Sequence, residues 1–411
     1  SHQGVSQRAL RGCAATGRGV GEMARRVQER VLRHDALILD TTVELAAERG
    51  WPGVRFPRVT ETTGLSERPL RDRYKDRLGL GQQVWWQRLE SPVLDAMREV
   101  VQVVPLNGER ITGPAIAEVM APFLQPDECF EAAAELIIVA RYQPKMCTAV
   151  TGTLGEALSA WLNPEAKGMT AALAAKRGYL AALALGLLTY SRATHGDLPD
   201  LSSVFTRIAK AMSCTIRPPR LPASRLDRWD STQLTDFGDS SWEHLLRTTV
   251  TAIGEHGYDG ATFDVITDMA EVSRGMIQGY YSTKQEFFSD VVARVIANTG
   301  MMQPSAGDAE RKSLDAPVAA AVELRETMRP DRQALRTVVL EQVRLAWNDD
   351  AVYAELAEQM LSAARAGRVG ASGEAWQCVD QALLWGAGLL AELHPASWEL
   401  PYGVVTASIS D

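Results

Sequence analysis

The segment VSRGMIQGYYSTK, residues 272–284, gathers polar and cationic side chains in a part of the chain that is otherwise acidic. It contains the hydroxyl of Ser273, two adjacent tyrosines and the positive charges of Arg274 and Lys284. It contains no carboxylate, although residues 220–299 hold 12 acidic residues against 7 basic ones. Hydroxyl, aromatic and cationic groups without neighbouring acids are suited to binding phosphates and the edges of bases.

The same pattern occurs twice in the sequence. A shift of 207 positions places residues 39–74 on residues 246–281 without a gap, and 11 of the 36 aligned pairs are identical. Ordinary residue usage would give about two or three identities by chance. The identical pairs include Gly50 with Gly257, Gly53 with Gly260, Phe56 with Phe263 and Ser66 with Ser273. This repetition predicts a duplication of one structural unit.

Each copy has the pattern of three successive helices. Apolar residues at helical spacing precede Gly50 and Gly257, where a left-handed cap is expected to end the first helix. Thr262 is expected to cap a short second helix, and Ser66 and Ser273 are expected to cap a third helix of about two turns. Two short helices joined by a turn and braced by a longer one form a helix-turn-helix, whose last helix can enter a major groove.

These residues give both copies a resemblance to the N-terminal DNA-binding domain of the TetR family of transcriptional regulators. The second copy departs from the family pattern at Glu271, where glycine is usual, at Gln278, where a base-contacting tyrosine is common, and at Tyr281, which replaces phenylalanine. Glutamine can pair bidentately with adenine, so its presence predicts an altered sequence preference. The second copy agrees with the pattern at Gly257, Tyr258, Thr262, Ile266, Ala270, Val272, Ser273, Gly275, Tyr280 and Lys284.

The first copy, with the segment TGLSERPLRDRYKDR, keeps fewer residues of the pattern. Arg68 and Pro69 occupy the usual glycine and threonine positions, and proline is tolerated in a first helical turn. Arg71 and Arg73 replace aromatic contacts, and Arg77 stands where lysine is expected. The residues retained are Gly64, Ser66, Leu70 and Tyr74. Across both copies, the resemblance implies DNA contacts from Arg55, Ser66, Arg68, Arg71, Arg73, Tyr74, Arg77, Thr262, Ser273, Arg274, Gly275, Gln278, Tyr280, Tyr281 and Lys284.

The resemblance predicts an all-α fold in which each copy has a helix-turn-helix domain followed by a helical effector and dimerisation domain. The 207-residue offset is close to the length of a whole TetR-like subunit, so two fused subunits are expected to form an intramolecular pseudo-dimer. The expected divisions are a basic extension at 1–33, helix-turn-helix domains at 34–90 and 242–299, helical domains at 91–216 and 300–411, and a linker at 217–241. Helices at 169–196, 201–212 and 374–393 are expected to form a bundle, whereas the segment after residue 393 is too short and Pro-broken for an equivalent last helix.

Composition and motif content argue against several other classes. No apolar run approaches the 18 or more residues of a bilayer span, and no apolar signal-peptide core is present, so a cytoplasmic location without membrane insertion is expected. The cysteines never form CxxC, the histidines lack metal-binding spacing, and no GxSxG or Walker A motif occurs, so no metal, cofactor or enzymatic activity is expected. Seven arginines between residues 8 and 33 are interpreted either as part of a solvated leader or as a basic arm for phosphates or a minor groove.

The expected function is that of a sequence-specific, ligand-responsive repressor. Its expected partners are a double-stranded DNA operator and a small-molecule effector, and pairing of two chains stays open. Candidate effector-binding side chains are Tyr142, Met146, Trp161, Trp347, Tyr353 and Met360, all of which also suit core packing. The alternative is a TetR-fold sensor or interaction protein in which one or both copies have lost DNA binding. Pro69, Asp72 and the −5 charge of residues 220–299 favour that alternative.

Overall fold

The computed structural model describes residues 6–107, 109–214, 240–299, 316–347 and 373–410, together with residues 351, 352, 354, 355 and 358. All regular secondary structure in this part of the chain is helical, as the sequence predicts. The expected linker, apart from its last two residues, and the candidates Tyr353 and Met360 lie outside the described residues.

The first half of the chain contains eleven α-helices among its described residues. They are α1 Ser6–Gly53, α2 Phe56–Thr63, α3 Glu67–Tyr74, α4 Arg77–Val84, α5 Glu90–Gln102, α6 Gly113–Leu124, α7 Glu128–Ala140, α8 Pro144–Val150, α9 Glu156–Trp161, α10 Ala171–Ala193 and α11 Ser202–Ser213. Single π-helical stretches, Trp85–Leu89 and Thr151–Gly155, join α4 to α5 and α8 to α9. Helix α1 crosses the expected boundary at residue 33, so the basic extension and the first copy share one helix.

The second half continues with eight described α-helices. They are α12 Ser241–Gly260, α13 Phe263–Ala270, α14 Arg274–Gln278, α15 Lys284–Thr299, α16 Ala316–Met328, α17 Gln333–Ala346, α18 Gly373–Leu393 and α19 Gly403–Ser410. Short 3-10 turns at Pro330–Arg332 and Pro395–Glu399 precede α17 and α19. We call residues 34–84 the first head and residues 241–299 the second head.

Polar side chains begin several of these helices by accepting hydrogen bonds from the first free amides. Asp76, Thr112, Asp127 and Thr170 each accept from an amide of the first turn of α4, α6, α7 and α10, respectively. Ser240 forms a reciprocal capping box at the start of α12. Such caps typically stabilise a helix by about 1 kcal/mol, so these side chains fix where the helices start.

A glycine breaks the long helix of each head at the same position of the repeat. Gly50 has φ 62° and ψ 176°, and Gly257 has φ 67° and ψ 173°. The positive φ favours glycine, as the sequence predicts, but the extended ψ differs from that of the expected left-handed cap. The helices do not end at these glycines, however, because one further turn continues to Gly53 and Gly260. The break frees the amide of the following residue from the helical hydrogen-bond ladder.

The largest helix-helix interface of the described residues joins α10 and α18, one from each half of the chain. A Cβ atom at Gly186 would lie 1.6 Å from the carbonyl oxygen of Ala382, and one at Gly386 would lie 1.7 Å from that of Ala182. The two backbones therefore touch where they cross, which only glycine permits at these positions. The final helix α19, with 8 residues, packs against α11 and α16 and is shorter than α11, with 12 residues.

By length and composition, α10 could cross a membrane, although the sequence predicted no apolar segment of sufficient length. Its most apolar stretch is 78% buried inside the protein. The core helices of soluble proteins pass the same test, so α10 is weak evidence for a membrane span.

Candidate nucleic-acid interface

In the second head, a sharp turn separates α13 from the expected recognition helix α14. Glu271 ends α13 in the left-handed conformation, with φ 53°, at the position that corresponds to Gly64 in the first copy. Thr262 caps α13 as predicted, because its hydroxyl accepts a hydrogen bond from the Val265 amide at 3.2 Å. Helix α14 has only five residues instead of the predicted two turns. We attribute its shortness to Gly275 and Gly279, because glycine is a poor helix former.

The outer surface of α14 carries the polar groups that the sequence singled out. Ser273 occupies the N-cap position but makes no side-chain cap bond, so its hydroxyl is available to a ligand. Gln278 is exposed, Tyr280 is 76% exposed, and only the Ser273 hydroxyl lies within 4 Å of a Cβ atom placed on Gly275. Arg274 is exposed as well and forms an ion pair with Asp264 at 2.8 Å. This surface is open to the close approach of a nucleic-acid backbone.

The tyrosine at position 281 packs inside the second head. Its ring stacks on Trp242 with centroids 5.8 Å apart, and its hydroxyl donates a hydrogen bond to Asp290 at 2.6 Å. Burial and the Asp290 carboxylate raise the pKa of Tyr281 to about 12. The ring centroids of Trp242 and Tyr280 are 5.1 Å apart, so Trp242 packs against the exposed tyrosine as well. Sequence reasoning missed Trp242, because its partners are about 40 residues away in the chain.

In the first head, every arginine on α3 is paired with a carboxylate of the same head. Arg68 lies 3.8 Å from Asp72, Arg71 pairs with Glu67, and Arg73 pairs with Asp35. All three arginines are exposed. The Arg68 and Arg71 pairs are exposed pairs, which contribute about 0–1 kcal/mol, so a phosphate or guanine could replace their carboxylates. Asp35, the partner of Arg73, is buried.

The other candidates of the first head lie partly in its interior. Tyr74 is buried, and its hydroxyl donates a long hydrogen bond of 3.5 Å to Asp35. Arg55 is exposed and donates to the Pro52 carbonyl at 3.1 Å. Ser66 is exposed at the N-cap of α3 without a side-chain cap bond, like its counterpart in the second head.

Arg77 in the first head and Lys284 in the second occupy the same position of the repeat. Arg77 donates to the carbonyl oxygen of Trp51 at 3.4 Å, and its guanidinium lies 5.0 Å from the centroid of the Trp51 ring. Lys284 donates to the carbonyl oxygen of Tyr258, and its ammonium lies 4.2 Å from the centroid of the Tyr258 ring. Burial lowers the pKa of both side chains. Both cations therefore brace the last turn of the broken helix in their own head.

The amides released by the glycine breaks are bound by two buried carboxylates. The Trp51 amide donates to Glu135 Oε1 at 2.6 Å, and the Tyr258 amide donates to Glu341 Oε2 at 2.8 Å. Glu135 lies on α7 and Glu341 on α17, and both side chains are fully buried. Sequence reasoning missed this pair, because the two carboxylates are 206 residues apart and the 207-residue shift therefore does not align them.

The effector candidates with described side chains are not brought together. Tyr142 lies against Gly257 in the second head, Met146 is fully buried beside the first head, and Trp161 is half-buried under Arg98 at 5.9 Å. Trp347 alone among them lines a described cavity. Within the described side chains, no group of three or more His, Cys, Asp or Glu residues could hold a metal ion.

That cavity has a volume of about 530 Å³ and lies between α1, the α6–α7 turn, the end of α10 and Trp347. Arg192 forms its cationic wall: it donates to the carbonyl oxygens of Glu131 and, at 2.9 Å, Ala47, and it lies 4.2 Å from the Trp347 ring centroid. Burial lowers the pKa of Arg192. The buried Trp347 indole N–H has no hydrogen-bond partner. The wall of the cavity therefore contains a buried cation and a tryptophan whose indole N–H lacks a partner.

Part of the second head is similar to a known protein family. Residues 245–291 match the family model described as bacterial regulatory proteins, tetR family. The match supports a DNA-binding transcriptional regulator of this family. No curated protein matches the chain at a significant level.

Proposed function

Because its second head matches the tetR family of bacterial regulatory proteins, we propose that this chain is a sequence-specific repressor that carries two DNA-binding heads in a single-chain pseudo-dimer. The domain division and the exposed DNA-contact residues expected from the sequence form part of this proposal. Tyr74, Arg77, Tyr281 and Lys284 pack or bond within their own heads, and we propose that they support these contacts. Its proposed place of action is the cytoplasm, and we expect no enzymatic activity.

The observation that carries the proposal is the repeated mounting of the two heads. Helix α7 packs against α1, and the corresponding helix α17 packs against α12. In both heads a carboxylate holds the amide after the glycine break, and a cation holds the carbonyl of the same residue. Two heads mounted in the same way on one joined helical core are what a protein needs to contact two half-sites.

The proposed effector site is the cavity beside Trp347. Its volume falls within the usual range for small-molecule sites, about 300–1,000 Å³. The free indole N–H of Trp347 and the buried Arg192 favour a ligand that carries a hydrogen-bond acceptor, such as a carboxylate. A ligand that binds one arrangement of the heads better than another would change DNA affinity by linkage.

A selection of bound duplexes from random DNA tests the DNA-binding part of the proposal. We expect a preferred sequence, and we expect affinity to fall linearly with salt on logarithmic axes, by about 0.9 per neutralised phosphate. Recovery of random sequence with affinity that does not depend on salt would exclude this function.

A thermal-shift series tests the effector part. Benzoate and longer aromatic or aliphatic carboxylates are expected to raise the melting temperature of the wild-type chain. The Trp347→Phe variant removes the donor and keeps the ring beside Arg192, so it is expected to lose the shift. An equal shift in both proteins would place the ligand elsewhere.

The alternative function, a sensor or interaction protein with an inactive first head, is favoured by one observation. Each arginine of α3 already faces a carboxylate of its own head, and Pro69 and Asp72 lie on the same helix. Under this alternative, the selection experiment would recover a single half-site that depends only on residues of the second head.

A further inference from the structure

The carboxylates that hold the two heads are joined by one buried arginine. Arg344 Nη1 donates to Glu135 Oε1 at 2.9 Å. Its Nη2 and Nε atoms donate to Glu341 Oε2 and Oε1 at 2.9 and 3.0 Å, respectively. We call Arg344, Glu135 and Glu341 the interhead cluster. It links the Trp51 amide of the first head to the Tyr258 amide of the second through three side chains.

The interhead cluster is shielded from water. Arg344 is 1% exposed and the two glutamates are 0% exposed. Although burial alone lowers the pKa of Arg344, the charges of Glu341 and Glu135 and the Tyr142 phenol raise it well above its usual range. Arg344 therefore stays charged, and it is the cation that keeps two buried carboxylates from repelling each other. Removing one partner of such a buried network leaves an uncompensated buried charge and is strongly destabilising.

Further contacts tie the cluster to the second head. Arg344 Nη2 also donates to Asp259 at 3.1 Å, and Asp259 directly follows Tyr258. Tyr142, at the end of α7, donates its hydroxyl to Glu341 at 3.1 Å. A Cβ atom on Gly257 would lie 2.3 Å from the Tyr142 ring, so this ring lies directly against the glycine break. A side chain of the first half of the chain thus contacts the glycine break of the second head.

We propose that Arg344 is a positioning residue that holds the two heads in one fixed relation. A displacement of Trp51 moves Glu135, the displacement of Glu135 breaks its bond to Arg344, and Arg344 in turn loses its alignment with Glu341 and Tyr258. A guanidinium group is suited to this role, because its planar fork binds both carboxylates at once. A lysine ammonium binds two carboxylates less well. The inference rests on the proposed function only for its consequence, the spacing of two DNA half-sites.

Hydrogen exchange of the full chain without DNA tests this role directly. In Arg344→Lys, we expect the segments around Trp51 and Tyr258 to exchange about tenfold faster together, because both amides lose an aligned acceptor. Arg336→Lys is the matched control: Arg336 is also buried on α17, but it pairs with Glu392 at 2.6 Å and holds neither head. Acceleration in only one head, or in neither, would overturn the proposal.

A second set of variants separates coupling from loss of stability. The triple variant Glu135→Gln, Glu341→Gln, Arg344→Met removes all three charges at once, which buried networks tolerate better than the loss of one member. Val59→Ala then loosens the core of the first head, where Val59 is fully buried. In the wild-type background, we expect Val59→Ala to speed exchange in both heads, and in the triple variant only in the first. If the second head never responds to Val59→Ala, Arg344 does not couple the heads.

The outcome is independent of the DNA-binding assay. Coupled exchange in a chain that binds no specific DNA would support the interhead cluster and reject the proposed function. Specific DNA binding without coupled exchange would support the proposed function and reject the role of the interhead cluster.

Discussion

At the scale of residues, the two recognition surfaces differ in chemistry although they occupy equivalent positions. Arg71 corresponds to Gln278, and Arg73 corresponds to Tyr280. Arginine pairs best with guanine O6 and N7, whereas glutamine favours adenine. All four side chains are exposed, so each half of the site should show its own base preference.

Substitution of one of these residues by alanine should weaken the base preference in only one half of the operator. We expect Arg71→Ala to cost about 1–3 kcal/mol of binding and to relax the half under α3, and Gln278→Ala to do the same under α14. Competition assays with half-site variants measure both effects. Arg98→Ala serves as a control, because Arg98 is a partly exposed arginine paired with Asp95 on α5, outside both heads. Equal losses in both halves from Arg71→Ala would contradict the assignment.

The left-handed Glu271 offers a second test at this scale. Left-handed backbone costs a residue with a Cβ atom roughly 1–2 kcal/mol, whereas glycine loses about 0.5–1 kcal/mol in chain entropy. We therefore expect Glu271→Gly to stabilise the second head by about 0.5–1 kcal/mol, measured by native-state hydrogen exchange. Glu271→Ala removes the same carboxylate but keeps the strain, so it should not stabilise. Equal stability of both variants would show that charge, not backbone conformation, decides the effect.

At the scale of elements, the two helices that carry the interhead cluster, α7 and α17, also border the cavity. Glu131 precedes Glu135 by four residues on α7, and Trp347, the residue that directly follows α17, comes three residues after Arg344. Residues three or four apart lie on the same face of a helix. A ligand in the cavity would therefore lie one helical turn from the contacts that hold both heads.

The close backbone contact between α10 and α18 makes their crossing sensitive to added side-chain volume. Gly186→Ala would place a methyl group on the Ala382 carbonyl, and the backbone there cannot move without separating the helices. We expect a loss of about 3 kcal/mol, at the upper end of the usual cost of overpacking, measured by urea unfolding with tryptophan fluorescence. Gly152→Ala is the control, because nothing lies within 4 Å of its added Cβ atom. Similar stability of the two variants would mean that the helices do not cross at Gly186.

At the scale of the whole molecule, unlike heads in one chain predict an operator without two-fold symmetry. An ordinary two-fold dimer presents the same surface twice and binds a palindrome. Here a guanine-rich half is expected under residues 66–77 and an adenine-containing half under residues 273–284. Two chains could pair and restore a longer palindrome, so the mass of the complex must be measured with the selected site.

We expect one chain per duplex and two different half-sites about 34–36 Å apart, as adjacent major grooves require. Native mass spectrometry of the complex measures the stoichiometry, and inversion of one half-site provides the control. Two identical half-sites occupied by one chain would refute the prediction of unlike heads.

The sequence by itself determined the local architecture of the heads. The glycine breaks, the Thr262 cap, the N-cap positions of Ser66 and Ser273 and the helical core segments depend on neighbours within about four residues, which sequence patterns record. Two local features differed from the prediction: two glycines shortened α14, and the long helices continue for one turn beyond Gly50 and Gly257.

Only the tertiary structure decided how the heads are held. Arg344 and Glu135 are 209 residues apart, and Trp51 and Glu135 are 84 apart, so no local pattern pairs them. The same long-range packing turned Arg77 and Lys284 inward onto backbone carbonyls and set Tyr142 against Gly257. Such contacts depend on which surfaces the two halves bury against each other, and burial is a property of the assembled core, not of any single segment.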